Sequence, residues 1–247
     1  PKKAGLLYVG TDDGLIQVSD NDGGNWTKYS SFTGIPDMTY VNMLIASQHD
    51  ENVVYAVFNN HKRGDFKPYI KRSADKGKTW TDVQGDLPKD GAAYAIAEDH
   101  VNPNILFAGT EYGVFVTLNR GKNWHQLKTG LPTTCVRDLA IQKRENDLVL
   151  ATFGRSFYVL DDYSALREMA AAGFDKSKST IFQVRPALQY IQTNPIGLTG
   201  KADRGASYYT APNPEFGATF RYNYADTVKT TKAIRHAKEK KEADNYY

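Results

Sequence analysis

The residues of this 247-residue chain with the clearest chemical potential are carboxylates that lie close together in sequence. They occur at Asp12–Asp13, Asp20/Asp22, Glu98–Asp99 and Asp161–Asp162. Two carboxylates flanking one bond are what hydrolysis of a glycosidic linkage needs. Neighbouring residues of a strand point to opposite faces, however, and aspartates in hairpin turns serve the turn itself. The sequence therefore identifies no catalytic residue and favours a non-enzymatic chain, with glycoside hydrolysis as the reaction if it is an enzyme.

Metal-binding and nucleophilic patterns are weaker still. The run from Asp20 to Asn25 is similar to the start of a calcium loop, but the twelfth position is Ser31 instead of Glu and the flanks are typical of strands. The five histidines show no metal-ligand spacing. Cys135 is the only cysteine, so no intrachain disulfide can form. We predict that its side chain is a buried, inert thiol. We expect no metal and no cofactor.

Two loops carry residues that could face a ligand. One is an insertion over residues 59–68, and the other follows the strand that ends near Thr152. Long hairpin loops often touch ligands, although a solvated loop is the simpler interpretation. The ligand-face candidates are Lys62, Arg63, Phe66, Phe153 and Arg155.

Three segments share the pattern [Ser/Thr]-x-[Asp/Asn]-x-Gly-x-x-Trp, and together they contain all three tryptophans. The motif residues are Ser19, Asn21, Gly23 and Trp26; Ser73, Asp75, Gly77 and Trp80; and Thr117, Asn119, Gly121 and Trp124. The hydroxyl and the Asp or Asn side chain can bond the backbone of a turn, and glycine supplies a positive φ. The tryptophan can then fold back onto the hairpin, so we predict all three indoles to be buried in equivalent corners.

The stretches around these motifs read as short strands divided by Gly, Asn, Asp and Pro turns. About four short strands in each 45–55-residue repeat are typical of a β-propeller blade, with a β-sandwich as the alternative. We predict an all-β fold in which residues 1–163 form an incomplete propeller, with a degenerate fourth unit at Leu148–Asp162. The first repeat has no inner strand of its own, so we expect the parent chain or another subunit to cover its face.

The remainder of the chain has a different composition. Its excess of Lys and Arg over Asp and Glu accounts for the net charge of +3, because the first 164 residues carry slightly more acids than bases. We predict a helix and linker over residues 164–207, with Ser164 as the cap and Gly173 as the stop. Residues 208–247 are predicted to hold the first strand of a C-terminal β-sandwich and a basic helix over Asp226–Ala243.

The repeated motif resembles the Asp-box, or BNR repeat, of sialidases, xyloglucan-active glycoside hydrolases, sortilin-type receptors and photosystem assembly factors. Residues 151–167 are similar to the end of the propeller in large extracytoplasmic bacterial BNR-repeat proteins, which usually have His where this chain has Phe153. Residues 208–222 are similar to the strand that opens the β-sandwich in that group. The resemblance implies a propeller whose boxes lie away from the binding face.

The function implied is a non-catalytic binding or scaffold segment of a larger secreted or cell-envelope protein, with a protein or glycan ligand. One alternative is part of a xyloglucanase-like glycoside hydrolase whose catalytic acids lie partly outside this chain, and a second is a sortilin-like receptor module. A near-neutral propeller disfavours nucleic acid. A bilayer span needs about 20 apolar residues in a row, and the sequence has no such run.

Overall fold

The computed structural model describes residues 1–171, 174–189, 216–226 and 229–243. The chain divides into two compact units, Pro1–Phe174 and Asp175–Tyr247. The first unit contains four antiparallel sheets, in each of which the strands follow one another in chain order.

The two middle sheets have four strands each. The second sheet contains β4 (Tyr40–Ala46), β5 (Val54–Asn60), β6 (Asp65–Ser73) and β7 (Thr81–Asp82), with a 3-10 turn at His61–Arg63 between β5 and β6. The third sheet contains β8 (Ala93–Glu98), β9 (Leu106–Thr110), β10 (Gly113–Thr117) and β11 (His125–Leu127).

The two outer sheets have three strands each. The first contains β1 (Leu7–Gly10), β2 (Ile16–Ser19) and β3 (Thr27–Tyr29), and among the described residues it has no counterpart of β4. The fourth contains β12 (Val136–Gln142), β13 (Asp147–Thr152) and β14 (Phe157–Leu160), with no counterpart of β7 in the part of the chain that the structure describes. Successive four-stranded meanders of this kind are propeller blades, so the predicted all-β, incomplete propeller is confirmed.

The sequence repeat and the structural blade are offset by one strand. The apolar strand after each Pro turn pairs with the strand that follows it, as Tyr40 does with Asn59 and Ala93 with Thr110. It therefore opens the next blade and does not close the preceding repeat. By the same rule, β12 belongs with the segment Leu148–Asp162 and completes a three-stranded fourth blade.

Three apolar cores lie between successive sheets. The core between the first and second sheets contains Leu6, Ile16, Val18, Phe32, Val41 and Phe58. The core between the second and third contains Tyr55, Val57, Ile70, Ile96, Leu106 and Trp124. The core between the third and fourth contains Phe107, Val116, Val136, Leu139, Leu148 and Leu150. Each middle sheet is thus covered on both faces, and β8, β9 and β10 are buried at every position.

The outward faces of the first and fourth sheets are open. Leu7 and Val9 on β1 are 40% and 43% exposed, and Phe157 and Val159 on β14 are 70% and 53% exposed. These are apolar residues of the kind that the middle sheets bury. The described residues do not cover the face of the Leu6 repeat, so the arc does not close on itself.

The three repeated motifs form the same turn. The Ser or Thr oxygen accepts a hydrogen bond from the glycine N–H, at 2.9 Å for Ser19 and Gly23. The bond is 2.8 Å in the second motif and 2.9 Å in the third. The residue before each glycine also has a positive φ, as Lys76 does at 62°. This pair of left-handed residues turns the chain between the third and fourth strands of a blade.

The prediction that all three tryptophans are buried is wrong for Trp26. Trp124 is 7% exposed, and its Nε1–H donates to the Val83 carbonyl of the preceding blade at 3.0 Å. Trp80 is half-buried at the rim of the first core, edge-on to Phe32. Trp26 is 42% exposed. The corner that holds the tryptophan of each blade is covered by the preceding blade. The described residues contain no blade before the first, so Trp26 stays exposed.

A short helix, α1 (Ala165–Ala170), completes the first unit. It packs on the third core through Leu166 and Ala170, so it lies with the blades although the expected propeller boundary was residue 163. Ser164 occupies the N-cap position as predicted, but its hydroxyl donates to Asp162 and makes no capping bond to the helix. The expected stop, Gly173, lies outside the described residues.

Asp99 fastens α1 to the third blade. Its carboxylate is fully buried and receives two hydrogen bonds from the Arg167 guanidinium, at 2.7 and 2.9 Å, and one from the Tyr163 hydroxyl at 2.7 Å. Burial alone would raise the pKa of Asp99, but the bonds from Arg167 and Tyr163 outweigh it and hold this pKa below its usual value. The carboxylate is therefore ionised and paired at neutral pH.

The second unit is described only in part. β15 (Thr180–Ile181) pairs with β16 (Tyr222–Asn223). Most of the predicted opening strand over residues 208–222 lies outside the described residues, and within them only Tyr222 of that range is in a strand. The basic helix, α2, spans Thr231–Ala243 and is exposed. It begins later than predicted, where the Thr230 hydroxyl accepts a bond from the Ala233 N–H at 3.2 Å.

The different surroundings of the tryptophans predict a graded response to truncation. We expect Trp124→Ala to lower the free energy of unfolding by about 3–5 kcal/mol, the usual cost of removing a large buried aromatic side chain. Trp26→Ala should cost less than about 1 kcal/mol, because its indole already contacts solvent, and Trp80→Ala should fall between them. Urea unfolding of the three variants measures the order. Equal costs for Trp26 and Trp124 would contradict this account.

The Asp99–Arg167 pair predicts a pH-dependent contribution to stability. At pH 7, Arg167→Ala should cost about 3–5 kcal/mol, because it leaves a buried carboxylate unpaired. The folded-state pKa of Asp99 is lowered, so the contribution is full above the unfolded pKa of about 4 and is lost as the pH falls through the folded-state pKa.

The measurement is urea unfolding of wild type and Arg167→Ala between pH 3 and 7. The matched control is Arg144→Ala, which removes an arginine whose side chain is 81% exposed and should change stability by less than about 0.5 kcal/mol. A difference between wild type and Arg167→Ala that grows on acidification would contradict the assignment.

Candidate functional site

The strand register places the starts of the inner strands at one end of the arc. Val136 at the start of β12 lies opposite Thr152 at the end of β13, and the third blade repeats this with Ala93 and Thr110. The motif turns lie at the other end, where the Lys76 N–H donates to the Asn52 carbonyl beyond the end of β4. The turns and the inner-strand starts are thus segregated.

A row of rings and a guanidinium crosses three blades at the inner-strand end. The Arg137 guanidinium carbon lies 3.9 Å from the centroid of the Tyr94 ring and 5.4 Å from that of Phe153. On the second blade, the His61 ring lies 6.3 Å from Tyr94. These are cation–π and edge contacts between residues that are far apart in sequence.

Tyr94 anchors this row from below. It is 2% exposed, and its hydroxyl donates to Glu111 Oε2 at 2.5 Å. Burial, followed by the bond to Glu111, raises the pKa of Tyr94 to about 12, so the hydroxyl stays protonated and remains a donor. Asn42 of the second blade donates to the Tyr94 carbonyl. The anchor is therefore fixed by three blades at once.

We call His61, Tyr94, Glu111, Arg137 and Phe153 the aromatic–arginine surface. Arg137 and Phe153 are its exposed members, and Phe153 is 70% exposed. Within the described ranges, no carboxylate lies within ion-pair distance of Arg137. The surface can therefore present a held positive charge beside an open aromatic ring.

Cys135 lies under this surface, packed with Ala92 and Tyr94. Burial raises the pKa of its thiol to about 11, despite the opposing charge of Arg137. The thiol is protonated and uncharged at neutral pH, so it packs as a small apolar group.

The ligand-face candidates from the sequence lie at this end, four of them in turns and Phe66 at the start of β6. Phe153 belongs to the surface, and Arg155 is exposed in the same turn of the fourth blade. Lys62 and Arg63 are exposed beside His61, but Arg63 is committed to the Asp37 carbonyl through a 2.8 Å bond. Phe66, 48% exposed, follows on β6.

The adjacent carboxylates Glu98 and Asp99 do not form one site. Glu98 is buried and accepts bonds from Ser47, Gln48 and Tyr55. Asp99 is committed to Arg167 and Tyr163, as described above. Among the residues that the structure describes, no three His, Cys, Asp or Glu side chains are placed to hold a metal ion. The described helices include none that is long and apolar enough to cross a membrane.

Sequence reasoning missed Tyr94, Glu111 and Arg137. Tyr94 and Arg137 each stand near the start of an apolar strand after a Pro turn, and Glu111 stands at a tight hairpin. An alignment of the repeats places Tyr94 and Arg137 at neighbouring inner-strand starts, which is the one available signal. Nothing local to either residue shows that their side chains meet.

Comparison with known proteins supports the fold. No protein-family model matches the chain. A curated xyloglucanase of Hypocrea jecorina (strain QM6a) is 29% identical over 127 residues, which cover 46% of this chain and 15% of that protein.

Two solved structures are similar in architecture. The GH74 enzyme of Niastella koreensis matches with a TM-score of 0.51 and 21% identity, covering 65% of this chain and 27% of that one. The GH74 xyloglucanase of Xanthomonas campestris matches with a TM-score of 0.50 and 18% identity, covering 66% of this chain and 28% of that one. This chain spans less than a third of each relative, and it shares with the solved structures the β-propeller fold.

Proposed function

We propose that this chain is a non-catalytic, ligand-binding segment of a larger secreted or cell-envelope β-propeller protein, and that the aromatic–arginine surface binds the ligand. The observation that carries the proposal is Arg137, held against Tyr94 and Phe153 where three blades meet. The ligand is a glycan or a protein.

The geometry of the surface suits binding because its exposed groups are already ordered. Arg137 has a fixed ring beneath it, so less side-chain freedom is lost when a ligand arrives. Arginine and large aromatic residues are also the types that carry the most energy in binding surfaces. The nearby basic turn residues Lys62 and Arg155 extend the positive charge around this end.

The repeated turns support a division of labour between the two ends of the arc. We assign them as Asp-boxes of the BNR type, in which side chains bond the backbone of their own turn. In the second turn, Asp75 accepts bonds from Ser73 at 2.7 Å and from the Thr79 N–H at 2.8 Å. Side chains already used in this way hold the hairpin, which leaves the opposite end for recognition.

The open end faces support the larger-protein part of the proposal. Leu7, Val9 and Trp26 form an exposed face where the middle blades have a neighbour. We infer that further blades, from the parent chain or another subunit, cover this face. The equivalent corner around Trp124 indicates the chemistry of the contact: a backbone carbonyl for the indole N–H and apolar side chains for its rings.

The sequence match to a xyloglucanase supports one alternative, that the parent is a glycoside hydrolase. Glu98 and Asp99 are buried and committed to structural partners, and this alternative places the catalytic acids partly outside this chain. The two functions predict different behaviour of the isolated chain. A binding segment binds a polysaccharide without cleaving it, whereas a hydrolase releases new reducing ends from it.

Binding tests the proposal directly. The chain is screened against a mixed array of neutral glycans, acidic glycans and peptides, and Phe153→Ala should weaken the strongest interaction about tenfold, equivalent to about 1.4 kcal/mol. The matched control is Phe157→Ala, which removes an equally exposed phenylalanine (70%) from the open face of the fourth sheet and should leave binding unchanged.

Loss of binding in Phe157→Ala with none in Phe153→Ala would refute this surface. Release of reducing ends from a bound polysaccharide by the chain alone would refute the non-catalytic assignment and favour the hydrolase.

A further inference from the structure

We propose that Arg137 is a carboxylate-binding residue and that the ligand of the aromatic–arginine surface is an acidic polysaccharide bearing uronic acid groups. This inference rests on the proposed function, because it names the ligand class of the same surface. Three features carry it: the free hydrogen-bonding edge of Arg137, the exposed ring of Phe153 and the acceptor Glu111.

Arg137 differs from Arg144 and Arg167 in what its guanidinium contacts. Arg167 is bonded through two nitrogens to Asp99, and Arg144 is paired with Glu145 at 2.9 Å. Among the described residues, the Arg137 guanidinium makes no ion pair with a carboxylate. The Arg137 guanidinium carbon lies 3.9 Å from the Tyr94 ring centroid, and we infer that N–H groups of this exposed side chain remain for a ligand.

A guanidinium held in this way matches one chemical group best. Its planar fork donates two parallel hydrogen bonds, which fit a carboxylate, and such charge-assisted bonds are about twice as strong as neutral ones. The ring beneath fixes the plane of the fork before the ligand arrives. Lysine at the same place would keep the charge but lose both the fork and the stacking.

The neighbours of Arg137 favour a sugar acid over an acidic peptide. Phe153 is 70% exposed, and its negative ring face attracts the positively polarised C–H groups of a pyranose. Glu111 is partly exposed and can accept hydrogen bonds from ring hydroxyls, which a poly-acidic peptide does not offer. A uronic acid unit carries the carboxylate, the C–H face and the hydroxyl donors on one ring.

The experiment uses the 247-residue chain and oligogalacturonate as the acidic probe, with neutral xyloglucan oligosaccharide and poly-glutamate peptide as the other arms. Titration calorimetry at low salt measures affinity for wild type, Arg137→Ala, Arg137→Lys and the control Arg144→Ala. Arg144 lies in the turn between β12 and β13, at the opposite end of the arc, and its removal makes the same charge change.

We expect oligogalacturonate to bind and Arg137→Ala to weaken it by a factor of about ten or more, since a bond to a charged group is lost. Arg137→Lys should recover only part of the affinity, and Arg144→Ala should bind as wild type does. The urea unfolding midpoint of Arg137→Ala should match that of Arg144→Ala, which shows that a weaker titration reflects the site and not the fold.

The outcomes separate this inference from the proposed function. Binding of the neutral oligosaccharide that is lost in Phe153→Ala but unaffected by Arg137→Ala would overturn the carboxylate assignment and leave the binding surface in place. Binding of poly-glutamate with none of oligogalacturonate would overturn the sugar class. No binding by any arm, together with a negative array, would overturn both proposals.

Discussion

The structure depends on one constraint: each blade has two apolar faces, and both must be covered by a neighbouring sheet. Burial of apolar surface is the main favourable term in folding. A sheet that is covered on one side only therefore gains much less of this stabilising free energy. All six positions of β8 are buried between two neighbours, whereas three of the four positions of β1 and of β14 are exposed. The difference in burial between these strands reflects what is packed against each strand and not how apolar its residues are.

The same constraint explains why identical motifs have different surroundings. Each motif makes its own turn with its own side chains, so the geometry is the same in all three blades. The tryptophan, however, is covered by the preceding blade, and burial therefore follows position in the arc. At the other end, α1 covers part of the last blade and is secured by the charged bonds between Arg167 and Asp99. A buried charge pair suits this place because it joins two elements only when both are correctly positioned.

Stacking of blades also creates the candidate site. The inner strands run side by side, which brings the starts of β8 and β12 together at one end. Tyr94 and Arg137 meet there, and the turn after β13 adds Phe153 from the same blade as Arg137. The surface is formed from several blades, so a change in how they pack would alter the site without changing any of its residues. The motif turns lie at the opposite end and can vary independently of it.

The sequence by itself determined what is local. The alternation of short strands and turns predicted the blades, and the spacing of Ser19, Asn21, Gly23 and Trp26 predicted a turn closed by its own side chains. It also placed α2 near its observed position, because helix-forming residues act over a few residues. The exposed turn residue Phe153 could be suggested as a ligand-face candidate for the same reason.

Only the tertiary structure decided what depends on neighbours. It showed that the strand after each Pro turn opens the next blade, that Trp26 is exposed where Trp124 is buried, and that Arg137 lies on Tyr94. The surroundings of Trp124 and the position of Arg137 rest on contacts between residues more than 40 positions apart, such as the bond from Trp124 to Val83. The local conformational preferences of a chain do not specify such contacts, because they form only when the sheets pack against one another.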